Sequence, residues 1–350
     1  MKQTMKQQPN SYWDKRSSER MASYQRNADR VMEIVGHAYD KAQRDIQDEI
    51  DRIFSKYALD GGLSPIEAAE MLNGSISRTE WLRIKDKIKH VKDPKIKRKL
   101  LNQLNAPAYS ARITRLEALK ANTYIQSKII ADTEFRASKR GYIHTIDEAY
   151  YRTMYDIQQG LGAGFEFASM STTTVETILM RPWSGKHFSS RIWGNTDALA
   201  VQLNEIITAG FMSGASTNKM VAELMQRMGI GKYEANRLIR TETTYMANAA
   251  EMQSYEEAEI DKYMFLATLD SRTSERCRKH DLKVYKVSEA VPGKNMPPLH
   301  TFCRSTTRAY FGKAHLARIQ RRAEDPKTSR PSLVQGDMTY NKWRKSLEAA

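Results

Sequence analysis

One stretch near the C-terminus predicts a small module with its own fold: FLATLDSRTSERCRKHDLKVYKVSEAVPGKNMPPLHTFCRSTT, Phe265–Thr307. It holds both cysteines of the chain, and each lies three residues from a histidine, Cys277 with His280 and Cys303 with His300. Alternating aromatic and β-branched residues predict three short strands in and around it, in KYMFLATLD, KVYKV and TTRAYF. We therefore expect a small β-rich module at 261–311.

The two Cys/His pairs, called clips here, allow several interpretations of the chemistry of this stretch. Two clips of this spacing, about twenty residues apart, fit a tetrahedral zinc site with the ligands Cys277, His280, His300 and Cys303. A close Cys–Cys pair, bonded or not, and plain packing inside the module are the alternatives. A cysteine nucleophile is disfavoured, because neither cysteine follows an obvious helix start that would lower the thiol pKa.

The remainder of the chain has the pattern of a helical protein. Apolar residues recur at helical spacing from Ser11 to Tyr57 and from Ala108 to Gly160, which predicts two long helices. Two short helices broken at Asp93-Pro94 are predicted between them, and further helices at Thr172–Met180 and Asn195–Ser213. The predicted fold class is mainly α, with a small α+β module near the C-terminus.

Four consecutive regions follow from these patterns. They are an N-terminal helical region at 1–107, a central helical body at 108–260, the β-rich module at 261–311 and a basic, partly disordered tail at 312–350. Within the central body, GIGKYEA at 229–235 predicts a turn that sets two helices at an angle.

The charge of the chain favours a polyanionic partner. The net charge is +15 and the isoelectric point is near 9.6, and the basic residues are clustered. One cluster, faced only by Asp86 and Asp93, is either a solvated helix face or a sequence-independent contact for double-stranded DNA. Its members are Lys85, Lys87, Lys89, Lys92, Lys95, Lys97, Arg98 and Lys99.

Targeting and membrane signals are missing from the sequence. We find no apolar run near the ~18 residues of a membrane span, and the first residues have no apolar core of a secretory signal. Two cysteines in 350 residues do not make a secreted disulfide scaffold. These features predict a protein without a membrane partner, made in a reducing cytoplasm.

Familiar catalytic patterns are also missing. There is no phosphate-binding glycine loop, no H-E-x-x-H and no Ser-His-Asp pattern, so we predict no enzyme, no catalytic residue and no cofactor. In RLIRTETT, Arg240 and Glu242 lie on different faces of a helix and cannot pair with each other. They are expected to fix distant segments by ion pairs, and the alternative is a transferase that uses them for catalysis.

The quoted stretch resembles the signature of the phage Mu protein F-like head morphogenesis family, whose members are phage minor head proteins. The family pattern is Asp-x-Arg-Thr, a Cys soon after, a Gly, and then Pro-Pro-x-His-x-x-Cys-Arg. WSGKHFSSRIWGNTDAL, RLIRTETTYMANAA, SYWDKR and DMTYNKW are similar to family segments as well. Many members have cysteine where this chain has Ser274 and Ser305. The matching signature positions are Asp270, Arg272, Thr273, Cys277, Gly293, Pro297, Pro298, His300, Cys303 and Arg304, with Arg240 and Glu242 upstream.

This resemblance implies a non-enzymatic minor capsid protein. Such proteins lie inside the procapsid with the portal protein and the packaged DNA, and act in head assembly, DNA packaging or ejection. The expected location is the virion, with the host cytoplasm during assembly, and major capsid or scaffolding protein are further candidate partners. The alternatives are an ADP-ribosyl- or nucleotidyl-transferase and a zinc-dependent DNA-binding module. The resemblance also leads us to expect that the sulfurs of Cys277 and Cys303 lie close together, with His300 as a hydrogen-bonding anchor.

Overall fold

Long helices make up most of the chain in the computed structural model. The structure describes residues 10–54, 65–105, 113–161, 169–213, 215, 217–310, 320–324, 331–335 and 342. The mainly α fold class is confirmed. The helices are α1 (Asn10–Phe54), α2 (Pro65–Asn73), α3 (Arg78–Asp86), α4 (Pro94–Leu104), α5 (Arg115–Leu161), α6 (Thr172–Met180), α7 (Phe188–Met212), α8 (Thr217–Glu257) and α9 (Glu275–His280).

The predicted strands form a small antiparallel sheet. Its strands are β1 (Lys262–Leu266), β2 (Val284–Lys286) and β3 (Thr306–Ala309), in the order β2-β1-β3. Tyr263 of the central strand lies opposite Tyr285 on one side and Ala309 on the other. All of β1 after Lys262 is buried, so the strand supplies the core of the module.

Part of the predicted tail also has regular structure. Strands β4 (Gln320–Glu324) and β5 (Pro331–Gln335) pair antiparallel, where the sequence predicts an extended, partly disordered chain. Apart from position 342, the DMTYNKW segment lies outside the described residues. Across the described ranges, none of the helices combines the length and apolarity needed to cross a bilayer.

The chain groups into two compact units, each assembled from separate segments. The first unit comprises Met1–Arg30, Lys139–His187 and Arg237–Ala350, and the second comprises Val31–Ser138 and Phe188–Asn236. The long helices α1, α5 and α8 each contribute residues to both units. The four consecutive regions expected from the sequence stay a prediction.

Helix α3 and helix α4 of the second unit begin where the sequence places caps. Ser77 and Glu80 form a capping box at the start of α3, and Asp93 accepts hydrogen bonds from the backbone of Lys95 and Ile96 at the start of α4. These bonds satisfy amides that a helix start leaves unpaired. The helices enclose a core with one side of α5, made by Trp81, Ile84, Ile88, Val91, Leu100, Leu104, Ile113, Ala118, Ala121 and Ile125.

Helix α7 begins earlier than predicted, at Phe188 rather than Asn195. Phe188 is buried and its ring stacks on Phe135, with 6.0 Å between ring centroids. Ile192, one turn later, is fully buried as well. Tertiary packing of these side chains extends the helix toward its N-terminus beyond the predicted start.

The turn predicted at GIGKYEA is wrong, because α8 runs through it without a break. A Cβ atom at Gly231 would lie 3.1 Å from a ring carbon of Tyr39 and 3.3 Å from a methyl of Leu199. Gly231 therefore allows close packing within the second unit instead of ending the helix. A helical glycine costs about 1 kcal/mol relative to alanine, and this packing offsets the cost.

Replacing Gly231 by alanine should destabilise the protein. Overpacking costs about 1–3 kcal/mol and the helix propensity of alanine returns about 1 kcal/mol, so we expect a net loss of up to about 2 kcal/mol. Urea unfolding measures this change in the free energy of unfolding.

Gly229→Ala is the matched control, since nothing lies within 4 Å of a Cβ added at Gly229. This variant should be neutral or slightly more stable than the parent. Equal stability of the two alanine variants would contradict the close-packing role of Gly231.

Candidate functional site

Asp270 organises the turn that follows β1. Its carboxylate accepts a bidentate pair from Arg304, with Nη1–Oδ2 at 2.5 Å and Nη2–Oδ1 at 3.0 Å. The backbone N–H of Arg272 and the hydroxyl of Thr273 also donate to Oδ1, each at 3.0 Å. The two ends of the signature, Asp-x-Arg-Thr and Cys-Arg, are thereby joined.

The electrostatics of Asp270 favour a permanent ion pair. The carboxylate is buried, and burial alone would raise its pKa. The hydrogen bonds and charge of Arg304, helped by Thr273 and Arg272, outweigh that effect and lower the pKa of Asp270 below its usual value. The side chain of Arg272 is 76% exposed and lies 4.0 Å from the carboxylate, and its charge is the last of these contributions.

Cys277, His300 and Cys303 converge beside this turn. The two sulfurs are 3.6 Å apart, and Nε2 of His300 lies 3.2 Å from the sulfur of Cys277. Both cysteines are buried and free. The predicted closeness of the two sulfurs is confirmed, and His300 does form hydrogen bonds at this position.

His280 is not brought into the cluster. Its Nδ1 lies 2.7 Å from the hydroxyl of Tyr285, and its ring is tilted against Phe265. Burial, with the charges of Lys283 and Arg276, lowers the pKa of His280. The structure thus unites three of the four candidate zinc ligands and uses the fourth to brace strand β2.

The local sequence explains the position of Cys277. Ser274 caps α9 and its hydroxyl accepts a hydrogen bond from the backbone N–H of Cys277, at 3.3 Å. Cys277 therefore lies in the first turn of a six-residue helix, and the statement that neither cysteine follows a helix start is wrong for it. The signal was available, since Ser274 followed by Glu275 is a helix-start pattern.

The pKa values of the two thiols shift in opposite directions. The hydrogen bond with Cys303, together with burial, raises the pKa of Cys277, although hydrogen bonds from Ser274 and Ser305 oppose this. The hydrogen bond from Cys277, with another from His300, lowers the pKa of Cys303 well below its usual value despite burial. The hydrogen bond with Cys303 also raises the pKa of His300.

Two threonines of RLIRTETT hold the loop that carries His300 and Cys303. The hydroxyl of Thr241 accepts from the backbone N–H of Phe302 at 3.1 Å, and the hydroxyl of Thr244 donates to the carbonyl of Cys303 at 2.7 Å. Phe302 adopts a left-handed backbone with φ of 57°. Such a conformation is uncommon for an aromatic residue, and the bond to Thr241 helps to hold it.

Before this loop, the chain turns through two other special backbone positions. The Pro297-Pro298 peptide is cis, and Gly293 has φ of 80°, which favours glycine. The carbonyl of Gly293 accepts a hydrogen bond from Arg276 at 2.7 Å. The signature's glycine and proline pair thus shape the path of the loop.

Arg240 and Glu242 hold two different segments. Arg240 donates to Gln25 at 3.1 Å and forms an ion pair with Asp29 of α1. Glu242 accepts a hydrogen bond from the indole N–H of Trp183 at 2.9 Å. Arg240 thus holds its segment through an ion pair, and Glu242 holds its segment through a neutral donor.

A buried ionic network in the first unit was missed by the sequence reasoning. Arg20 donates to Glu251 at 3.3 Å and to Ser17 at 3.1 Å, and it pairs with Asp156. Glu251 also accepts from Thr307 of β3 at 3.1 Å. The available signal was Arg20 itself, a charged residue at helical spacing from the apolar residues Tyr24 and Ala28 of α1.

The charges of this network are mutually dependent. Burial alone would lower the pKa of Arg20, but the negative charges of Glu251 and Asp156 outweigh burial and raise it. Burial raises the pKa of Glu251, against the effects of Arg20 and Thr307. A buried charge that loses its partner is strongly destabilising.

We therefore expect Arg20→Met to lower the free energy of unfolding by about 3–5 kcal/mol. The substitution keeps most of the apolar stem but leaves Glu251 and Asp156 buried without their cation. Chemical unfolding followed by circular dichroism is the measurement.

Arg16→Met provides the control, because Arg16 is 44% exposed and lies 3.7 Å from the same Asp156. An exposed pair contributes about 0–1 kcal/mol. If both variants lost the same small amount, the network would not support the first unit.

The basic cluster of the second unit divides into two sets. Lys87 is partly buried, donates to Asn122 at 2.9 Å and lies 3.9 Å from Glu49, and burial lowers its pKa. Lys85 and Lys97 are partly buried too, and Lys85 bonds to Asn105. These lysines serve the fold in part. The exposed members are Lys89, Lys92, Lys95, Arg98 and Lys99, of which Lys89 pairs with Asp86.

Comparison with known families locates the signature in this fold. Residues 201–308 match the family described as Phage Mu protein F like protein. The match begins in α7 and ends in β3, so it spans α8 and residues 261–308 of the β-rich module. The resemblance to this family is confirmed for that region.

Comparison with curated proteins gives a more distant likeness. The chain is 24% identical over 147 residues to "NAD(+)--arginine ADP-ribosyltransferase EFV" of Enterococcus faecalis (strain ATCC 700802 / V583). The match covers 41% of this chain and 30% of that protein, so the chain spans about a third of the length of the curated relative it matches. No solved structure gives a significant match.

Proposed function

From the phage Mu protein F-like region at 201–308, we propose that this chain is a minor capsid protein of a phage head. It acts in head morphogenesis inside the procapsid, next to the portal and the packaged DNA. The observation that carries the proposal is the match to that region. The head, the portal and the DNA are its expected surroundings in the virion, and the host cytoplasm is its surroundings during assembly.

The use of the signature residues supports a structural role. Asp270 and Arg304 close a turn, Gly293 and the proline pair shape a loop, and Thr241 anchors that loop to α8. Each residue is engaged inside the molecule, as expected of a fold signature. Signature residues that bond to one another suit a protein that works through its other surfaces.

Portal association can be tested by co-expression. We expect tagged portal protein to retain this chain from a mixture that also contains major capsid and scaffolding proteins. The same chain should be found by mass spectrometry in purified procapsids. Retention by scaffolding or major capsid protein alone would replace the portal as partner, and absence from procapsids would overturn the head role.

The exposed basic residues are proposed to contact DNA phosphates. Lys92, Lys95, Arg98 and Lys99 are exposed within eight residues of helix α4 and the turn before it. Nearby, burial together with Lys41, Lys89 and Lys92 lowers the pKa of His90, in accord with a positive local potential. Such a surface binds DNA without reading its sequence.

Neutralising these four residues together with alanine should weaken DNA binding and its salt dependence. Each lost phosphate contact lowers the slope of log K against log salt by about 0.9, so the slope should fall by up to about 3.6. Fluorescence anisotropy with duplexes of unrelated sequence, over a series of salt concentrations, measures both quantities.

A quadruple alanine variant of Lys279, Lys283, Lys286 and Lys294 makes the matched control. These four lysines are exposed on the β-rich module at 261–311, and the variant has the same change in net charge. Equal losses in both variants would mean that only the total charge matters. No binding at low salt would overturn the DNA contact altogether.

The name of the curated relative raises ADP-ribosyl transfer as the second candidate. The geometry gives it less support, since Glu242 is 3% exposed and its carboxylate is bonded to Trp183. We expect no NAD turnover by the purified chain. Turnover that disappears in Glu242→Gln, with unchanged folding, would favour the enzyme.

A further inference from the structure

The cluster of Cys277, His300 and Cys303 has the geometry of a metal site. We propose that these three residues bind one zinc ion, with a water molecule as the fourth ligand. The proposal is independent of the head role, because a metal can bind whether or not the chain meets a portal. It differs from the four-ligand zinc site expected from spacing, since His280 has no part in it.

The distances between the ligand atoms carry the proposal. Tetrahedral zinc, with Zn–S of about 2.3 Å and Zn–N of about 2.0–2.1 Å, sets two sulfurs about 3.8 Å apart and a sulfur and a nitrogen about 3.6 Å apart. The sulfurs of Cys277 and Cys303 are 3.6 Å apart, and the sulfur of Cys277 lies 3.2 Å from Nε2 of His300. The three ligand atoms all lie within 4.8 Å of one another.

A disulfide fits the same pair less well. The S–S bond is about 2.05 Å long, so the two sulfurs at 3.6 Å would have to move together by about 1.5 Å. That movement would act on α9 through Cys277 and on the loop through Cys303. The carbonyl of Cys303 is held by Thr244 at 2.7 Å, which resists it.

The second contact of His300 gives independent support. Its Nδ1 lies 2.6 Å from the carbonyl oxygen of Thr301, and a carbonyl can only accept a hydrogen bond. Nδ1 therefore carries a proton, and in the neutral imidazole the lone pair of Nε2 faces the sulfur of Cys277. Metal-binding histidines in proteins have this arrangement, with the other ring nitrogen bonded to a carbonyl or carboxylate.

The small core of the module is a further reason to expect a cross-link there. Its core cluster contains Phe265, Ala267, Cys277, Leu299 and Cys303, and small cores of this kind are often completed by a metal. Zinc would link α9 to the loop that carries the cis-proline. The Asp270–Arg304 pair is a second link, between the turn before α9 and the end of that loop. Neither link is made by the short sheet itself.

Zinc binding can be measured on the full chain. After chelation and reduction, the chain should take up one zinc ion by elemental analysis, and cobalt should give the near-ultraviolet absorption of thiolate ligands. His300→Gln should weaken zinc binding more than about 100-fold, because even loss of an outer partner of a ligand costs 10–100-fold. Cys303→Ser should reduce the cobalt–thiolate absorption, because one of the two sulfur ligands is lost.

His280→Gln is the matched control, since it removes the other histidine of the module and its bond to Tyr285. It should bind zinc as the parent does. Circular dichroism of each variant without zinc shows whether it folds. In the parent, added zinc should protect the cysteines from an alkylating reagent, and this measurement needs no variant. Equal zinc uptake by His300→Gln and His280→Gln, no uptake by the reduced parent, or alkylation unaffected by zinc would each overturn the site.

Discussion

The ion pair between Arg20 and Glu251 is the interaction on which the first unit depends most. It joins α1 to α8 through a contact of 3.3 Å between buried groups, and Asp156 of α5 pairs with the same guanidinium. Glu251 passes the constraint to β3 through Thr307. Because each charge is buried, none of these segments can move away without leaving an unpaired ion in the interior.

Glu251 belongs to a face of α8 that contacts the β-rich module at three points. Thr241, Thr244 and Glu251 contact Phe302, Cys303 and Thr307 in that order, so helix and chain run side by side. The spacing of three and seven residues places these side chains on one face of the helix. A family signature that includes both RTETT and the Pro-Pro-x-His-x-x-Cys loop is therefore one structural unit.

This arrangement explains why residues 201–308 match a family model as one continuous region. Their motifs specify how a helix, a short sheet and a loop hold each other, and this information is separate from what the rest of a chain does. In our proposal, the functional surfaces lie outside the signature, on the exposed basic residues of α4. The metal proposed at Cys277, His300 and Cys303 would add to the same internal support.

The outcome at particular residues shows how far the sequence carries. The strands at Lys262–Leu266 and Thr306–Ala309, the long helix α1 and the meeting of the two cysteines were all predicted, because alternation, helical spacing and the family pattern are local or directly matched signals. The pattern of lysines was also visible. Which of them are partly buried was not, because burial of Lys87 depends on Glu49 and Asn122, which lie far away in the chain.

The helical character, the three-stranded sheet and the family signature can be read from the order of the amino acids, since each is a pattern of neighbouring residues. The folded chain was needed to show that Gly231 lies inside a helix, that Arg20 is buried with two carboxylates, and that His300 rather than His280 joins the sulfurs. Chain spacing fixes how far a side chain can reach, but not the partner it meets. The partner depends on packing between segments that are distant in sequence. That packing determines what Gly231, Arg20 and His300 contact.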